Sequence, residues 1–154
     1  INNSIAGEWY TPHVIEPAFG IDRIIWHILD HAYEEIEKEG EKYNLLKLKE
    51  SVAPADVIIL PLFEKDGMGV EARKLNSQIN QMKGVKCLID SSKSIGRRYA
   101  RADEIGVPWA ITVDHQTLDD GTVTVRRRDD QKQIRTDINQ LLSLINSNMV
   151  STLF

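Results

Sequence analysis

From Asp56 onward the chain alternates short β-branched runs with stretches of helical apolar spacing, and this alternation restricts the fold more than any other feature. Val57-Ile58-Ile59-Leu60 is a continuous apolar run of the kind that parallel sheets bury on both faces. Val70 to Met82 then shows helical spacing, Lys86 to Ile89 reads as a second strand, Ser94 to Ile105 as a second helix and Ala110 to Val113 as a third strand. Asp119-Asp120-Gly121 marks a turn, and Thr122 to Arg126 alternates as a strand. Ile134, Ile138, Leu141, Leu142 and Ile145 fall in register on a closing helix. Elements alternating at these lengths predict an α/β domain of three layers with a largely parallel sheet.

The first third of the chain reads differently. Val14 to Phe19 predicts a short strand ending at Gly20. A helix follows, its apolar stripe running through Ile21, Ile24, Ile25, Ile28, Leu29, Ala32 and Ile36 to a stop at Gly40. Glu41 to Pro54 is polar and reads as a connector, so two units are expected, residues 1–50 and 51–154. Residues 1–50 carry five basic and ten acidic side chains, whereas the remainder carries 14 and 13. Nucleic-acid binding therefore cannot be argued from the overall charge of −4 and needs a local patch. No stretch approaches the roughly 18 apolar residues of a membrane-crossing helix, and Ile1 onward has no charged-then-apolar leader, so no membrane partner is expected. A single cysteine, Cys87 in the apolar run Val85 to Ile89, excludes an internal disulfide framework and predicts a buried thiol in a reducing compartment.

A local patch is available. Ser94-Ile95-Gly96-Arg97-Arg98-Tyr99-Ala100-Arg101-Ala102-Asp103-Glu104-Ile105-Gly106 puts three arginines and a tyrosine on one predicted helix, where Arg97, Arg98 and Arg101 are expected to share one side because residues three and four apart are helical neighbours. Guanidinium forks beside a flat aromatic suit phosphate and an unstacked base. Arg126, Arg127 and Arg128 would extend the patch from the strand end. A solvated basic face paired with Asp103 and Glu104 is the structural alternative.

This run, with Thr112-Val113-Asp114, Asp120-Gly121-Thr122-Val123-Thr124-Val125-Arg126, Arg128-Asp129 and Gln133-Ile134-Arg135, closely resembles the C-terminal part of homodimeric class II glycyl-tRNA synthetases. Upstream, Val14-Ile15-Glu16-Pro17-Ala18-Phe19-Gly20-Ile21-Asp22-Arg23 resembles the third signature motif of class II synthetases, and positions 56–145 resemble the anticodon-binding domain. The likeness runs from His13 to about Leu142. It implies a mixed five-stranded sheet, preceded by a strand–helix remnant of the catalytic domain.

What the resemblance implies chemically is ATP-dependent attachment of glycine to its tRNA through glycyl-adenylate, in a cytoplasmic homodimer, with Mg2+ accompanying ATP and no tightly bound cofactor. Attack of a carboxylate on the α-phosphate needs alignment and charge neutralisation more than proton transfer. By resemblance Arg23 lies along the ATP with Gly20, Ile21 and Asp22, while Glu16, Pro17, Ala18, Phe19 and Gly20 surround glycine, Glu16 facing its ammonium. The family usually has serine at Ala18, and one missing hydrogen bond costs on the order of 0.5–1.5 kcal/mol. The other two class II motifs do not occur in this chain, so its ATP pocket is expected to be incomplete. Arg97, Arg98, Tyr99, Arg101, Asp103, Glu104, Arg126 and Arg128 are the expected anticodon residues, bordering one cleft, with Asp103 or Glu104 accepting from a cytosine amino group. His27 and His31 are four apart, a metal-ligand spacing, but without a third ligand a metal site is not expected. His13 and His115 receive no role. Two other readings stand beside this one. The first is a non-catalytic synthetase-like accessory module that binds nucleic acid, and the second is a generic nucleotide-binding α/β domain, for which no glycine-rich phosphate loop is present.

Overall fold

Helix α1 begins at Ile21 and ends at Ala32, and nothing in residues 11–20 before it is regular. The computed structural model describes residues 7, 9, 11–38 and 40–154, with residues 38 and 41 by backbone alone. The strand expected over Val14–Phe19 is therefore not formed. A strand exists only where a neighbour satisfies its N–H and C=O groups, and no described strand pairs with this segment.

The helix expected through Ile36 also stops early. Tyr33 adopts φ −78 and ψ 129, which is extended, and Tyr33–Lys38 becomes β1. Glu41–Leu46 forms β2 rather than a connector, and pairs with β1 in antiparallel register from Tyr33↔Leu46 to Lys38↔Glu41. Gly40 lies in the hairpin turn at φ +81, a left-handed conformation that costs glycine little. Across the hairpin Lys42 Nζ reaches Glu35 at 2.9 Å, and the Tyr33 hydroxyl donates to Asn44 Oδ1 at 3.1 Å.

The remaining elements follow the expected alternation: β3 Val57–Pro61, α2 Met68–Asn80, β4 Cys87–Ile89, α3 Ile95–Glu104 and β5 Trp109–Val113. Then come α4 His115–Asp120, β6 Thr122–Arg127, β7 Gln133–Asp137 and α5 Ile138–Asn146. Two details differ from expectation. The turn at Asp119–Gly121 is the end of a short helix, closed by Gly121 at φ +72. Ile134 belongs to β7 rather than to the last helix, which Asp137 starts by accepting from Asn139 N and Gln140 N at 2.8 and 3.1 Å.

The five-stranded sheet has the order β4-β3-β5-β6-β7. β4, β3 and β5 are mutually parallel, β6 runs against β5, and β7 runs against β6. Four of the five strands therefore point the same way, β6 alone opposing them. Alternate residues of β3, β4 and β5 feed two cores, and β6 and β7 add to the first of them. Val57, Ile59, Trp109, Ile111, Val123 and Val125 pack with Met68, Leu75 and Ile79 of α2 and Leu141 and Ile145 of α5. On the opposite face Ile58, Leu60 and Ala110 pack with Ala102 of α3. This is the predicted three-layer arrangement. Ile59 and Ile111 are fully buried, each stabilising the fold by about 1.5–3 kcal/mol. Cys87 is buried at the start of β4, and burial, with the Asp56 charge second, pushes its thiol up to about 12.

Candidate nucleic-acid interface

Helix α3 divides the expected arginine patch by the ordinary rule of helical faces. Ile95, Arg98, Tyr99 and Ala102 fall at spacings of three and four, so the face that carries apolar residues to the sheet carries Arg98 with it. Arg98 is only 3% exposed. Its Nη1 donates to the Pro61 carbonyl at 2.5 Å and its Nη2 to the Leu62 carbonyl at 3.2 Å, while Nε is buried without a partner. Burial depresses its pKa. Arg97, one position earlier, faces outward and is exposed. The three arginines thus do not share one side.

The strand-end arginines are also interior. Arg126 and Asp103 are 3% and 1% exposed. Arg126 meets Asp103 in a fork, Nη1 to Oδ1 at 2.9 Å and Nη2 to Oδ2 at 2.8 Å, and the Tyr43 hydroxyl of β2 donates to Asp103 Oδ2 at 2.5 Å. The Arg126 guanidinium lies 4.8 Å from the centre of the Tyr99 ring, whose hydroxyl is 2.5 Å from Thr112 Oγ1. Burial pushes Arg126 down, but hydrogen bonding and attraction to Asp103 outweigh it and hold the guanidinium above its ordinary value. Burial and the Asp103 bond push the Tyr43 phenol well above its usual range. Arg128 donates to the carbonyls of Gly106 and Leu48, both at 2.8 Å, and to Asp129.

The single cleft bordered by all these arginines is therefore corrected. Arg98, Arg126, Arg128 and Asp103 are internal ties, and Asp103 has no free lone pair aimed at solvent for a cytosine. Arg101 is partly exposed and grips Asp90 and Ser92. Arg97 and Glu104 are the members left facing water. Glu16 to Arg23 are likewise exposed, on the irregular segment and the first turn of α1. Among the described residues no group of three or more His, Cys, Asp or Glu side chains could hold a metal ion.

Sequence reasoning passed over a second set of residues at the carboxyl ends of the parallel strands. The chain crosses from β3 to β4 on one side and then to β5 on the other. Such a switch point leaves a crevice outside the strand ends where ligands of open α/β sheets bind. Phe63 follows β3 and is 55% exposed; His115 follows β5, and the two ring centres are 6.2 Å apart at an interplanar angle of 46°. Beside them Arg135 of β7 forks onto Asp114, Nη1 to Oδ2 at 2.8 Å and Nη2 to Oδ1 at 2.7 Å. Those bonds, and the capping of α4 by the same carboxylate, hold Asp114 down at about 2. The available signal was positional: Phe63 and His115 each stand two residues past the end of a strand, β3 and β5.

A family model described as an anticodon binding domain matches residues 56–148. The glycine–tRNA ligase of Methanothrix thermoacetophila is 46% identical over 153 residues, covering 99% of this chain and 26% of that protein. That of Methanocaldococcus jannaschii is 45% identical over 149 residues, 97% and 25% of the two chains. The chain thus spans about a quarter of the length of the curated relatives it matches. Among solved structures, the RNA binding domain of threonyl-tRNA synthetase from Cryptosporidium parvum Iowa II superposes with a TM-score of 0.55 at 21% identity, over 61% of this chain and 23% of that one. That likeness concerns the fold.

Proposed function

The chain belongs to the anticodon binding domain family, and from that premise we propose that it is the tRNA-reading part of a glycine–tRNA ligase, joined to the end of its catalytic domain. The observation that carries the reading is 46% identity to such a ligase across 99% of this chain. The whole enzyme would activate glycine with ATP, brought in as its Mg2+ complex, and pass it from glycyl-adenylate to tRNA, working as a cytoplasmic homodimer.

In this reading Arg23 neutralises phosphate charge, Glu16 pairs with the ammonium of glycine, and Pro17, Ala18, Phe19, Gly20, Ile21 and Asp22 shape the two pockets. The surface of α1 supports it. Ile21, Ile24, Ile25, Trp26, Ile28 and Leu29 are all exposed, an apolar ridge suited to packing under the remainder of a catalytic domain. For the tRNA, Arg97 serves as the phosphate contact and Glu104 as a base acceptor, with Arg101 between them and Tyr99 supporting the helix from its sheet-facing side. Arg98, Arg126, Arg128 and Asp103 act beneath that surface as its frame.

Two measurements test the proposal. Full-length protein should catalyse glycine-dependent pyrophosphate exchange, which this chain alone should not. The chain should bind the glycine tRNA more tightly than one with a substituted anticodon. Absence of exchange by the full-length protein, with anticodon preference retained, would favour the accessory-module reading, for which Ala18 in place of serine is the specific observation.

A further inference from the structure

We infer that Tyr43 is a positioning residue for the transfer of glycine to tRNA, an inference that rests on the ligase reading above. The two ends of that reaction fall on different parts of the chain. Glu16 and Arg23, assigned to glycine and ATP, lie just before α1 and in its first turn, whereas Arg97, Arg101 and Glu104, assigned to tRNA, lie on the outer side of α3. The β1–β2 hairpin is bound to α1 through both of its strands. β1 follows the helix directly, and Lys47 N, one residue past β2, donates to the Ala32 carbonyl at 2.7 Å. Lys47 Nζ adds an ion pair to Glu34 at 2.6 Å. Whatever holds the hairpin to α3 therefore sets α1 against the tRNA-reading helix.

One fixed point of that seam lies at the element ends. Arg128 donates to the carbonyls of Gly106, just past α3, and Leu48, just past β2, and the two segments are so close that a Cβ on Gly106 would lie 3.1 Å from the Leu46 carbonyl oxygen. A single clamp leaves rotation about itself. The second point lies farther up β2, where the Tyr43 hydroxyl donates to Asp103 Oδ2 on the inner side of α3 at 2.5 Å. Two points along one strand fix the direction of α3 against it. The buried pair does not require the phenol for neutralisation, because Arg126 already meets both Asp103 oxygens. What the hydroxyl supplies is orientation. The anticodon and the accepting 3′ end are opposite extremities of one tRNA, so a small turn of α3 swings the 3′ end through a larger arc, and a misplacement of about 1 Å can cost about a hundredfold in rate.

The test uses the full-length protein, wild type against Tyr43→Phe and Tyr43→Ala, with folding checked by circular dichroism. Three quantities are measured: glycine-dependent pyrophosphate exchange, affinity for an anticodon stem-loop RNA carrying the glycine anticodon, and single-turnover transfer of glycine from preformed adenylate to saturating whole tRNA. Exchange and stem-loop affinity should stay within about twofold of wild type, since Tyr43 touches neither site. Transfer should slow by about three- to tenfold in Tyr43→Phe, the worth of one hydrogen bond, and by about ten- to a hundredfold in Tyr43→Ala. Wild-type transfer in both variants overturns the assignment. A parallel fall in exchange also overturns it, because Tyr43 would then support the catalytic unit itself, and so does an equal loss of stem-loop affinity, which would confine its effect to α3. Absence of glycine-dependent exchange in the wild type would instead remove the ligase reading on which the inference stands.

Discussion

Replacing Asp103 by alanine should unfold this domain far more readily than a single lost ion pair at the surface would. The carboxylate is 1% exposed and accepts from Arg126 twice and from Tyr43 once. Alanine leaves a 3%-exposed guanidinium without a counter-charge and a phenol without an acceptor. Breaking a buried pair from one side costs about 3–5 kcal/mol, most of it the burden of the stranded charge. For a chain of this size each kcal/mol lowers Tm by about 2–4 °C, so a fall of roughly 6–20 °C is expected. Urea titration and thermal denaturation followed by circular dichroism measure it. The double variant Asp103→Leu with Arg126→Met removes both charges and should recover most of the loss, since apolar replacements of buried pairs are often neutral. A cost below about 1 kcal/mol for Asp103→Ala, or a double variant no better than the single, would refute the view that desolvation governs this cluster.

Three further outcomes are expected. Gly106→Ala should destabilise the domain by more than about 1 kcal/mol, because Gly106 sits at φ +82 and a Cβ there would meet Leu48 Cδ1 at 2.9 Å; urea midpoints decide it. Asp114 is held at about 2 against an ordinary 3.8, so its contribution is complete above pH 4 and is lost as the pH falls through 2; Asp114→Asn should flatten the acid limb of the stability curve measured by urea denaturation between those values. Cys87, buried and pushed up to about 12, should react with a thiol-specific chromogenic disulfide only as fast as the protein opens, and at the rate of a free thiol once urea has unfolded it.

The strands and helices after Asp56 were legible because their periodicities are the ones the cores impose: Val57 to Leu60 is buried throughout and Leu75 and Ile79 face the sheet. Tertiary partners decided the rest. Ile36 continues the α1 stripe by spacing, yet it lies opposite Tyr43 in a hairpin that no local rule outweighs. Gln133 to Asp137 alternates weakly and becomes a strand because β6 offers it an open edge. Charge misled most at the site. Arg98 shares a face with Ile95 and Ala102, so its burial was readable from position, but Arg126 and Asp103 meet only through the sheet. No pattern in the chain reveals that pairing. The exposed rings of Phe63 and His115 were invisible as a pair for the same reason, being brought together by β3 and β5 lying side by side.

The bond from Arg128 to the Leu48 carbonyl joins residues 80 apart, and the nearby bond from Tyr43 to Asp103 joins residues 60 apart. On the ribosome those separations become time. At about 5–20 residues per second, the hairpin emerges roughly 4–16 seconds before the arginine that fastens its far end. For the first three-quarters of that interval β1 and β2 have each other but not yet Asp103 of α3 to dock on. The join between the first third of the chain and the sheet is therefore among the last parts to set, and slowing synthesis ahead of Arg126 would prolong the interval in which that seam stays open.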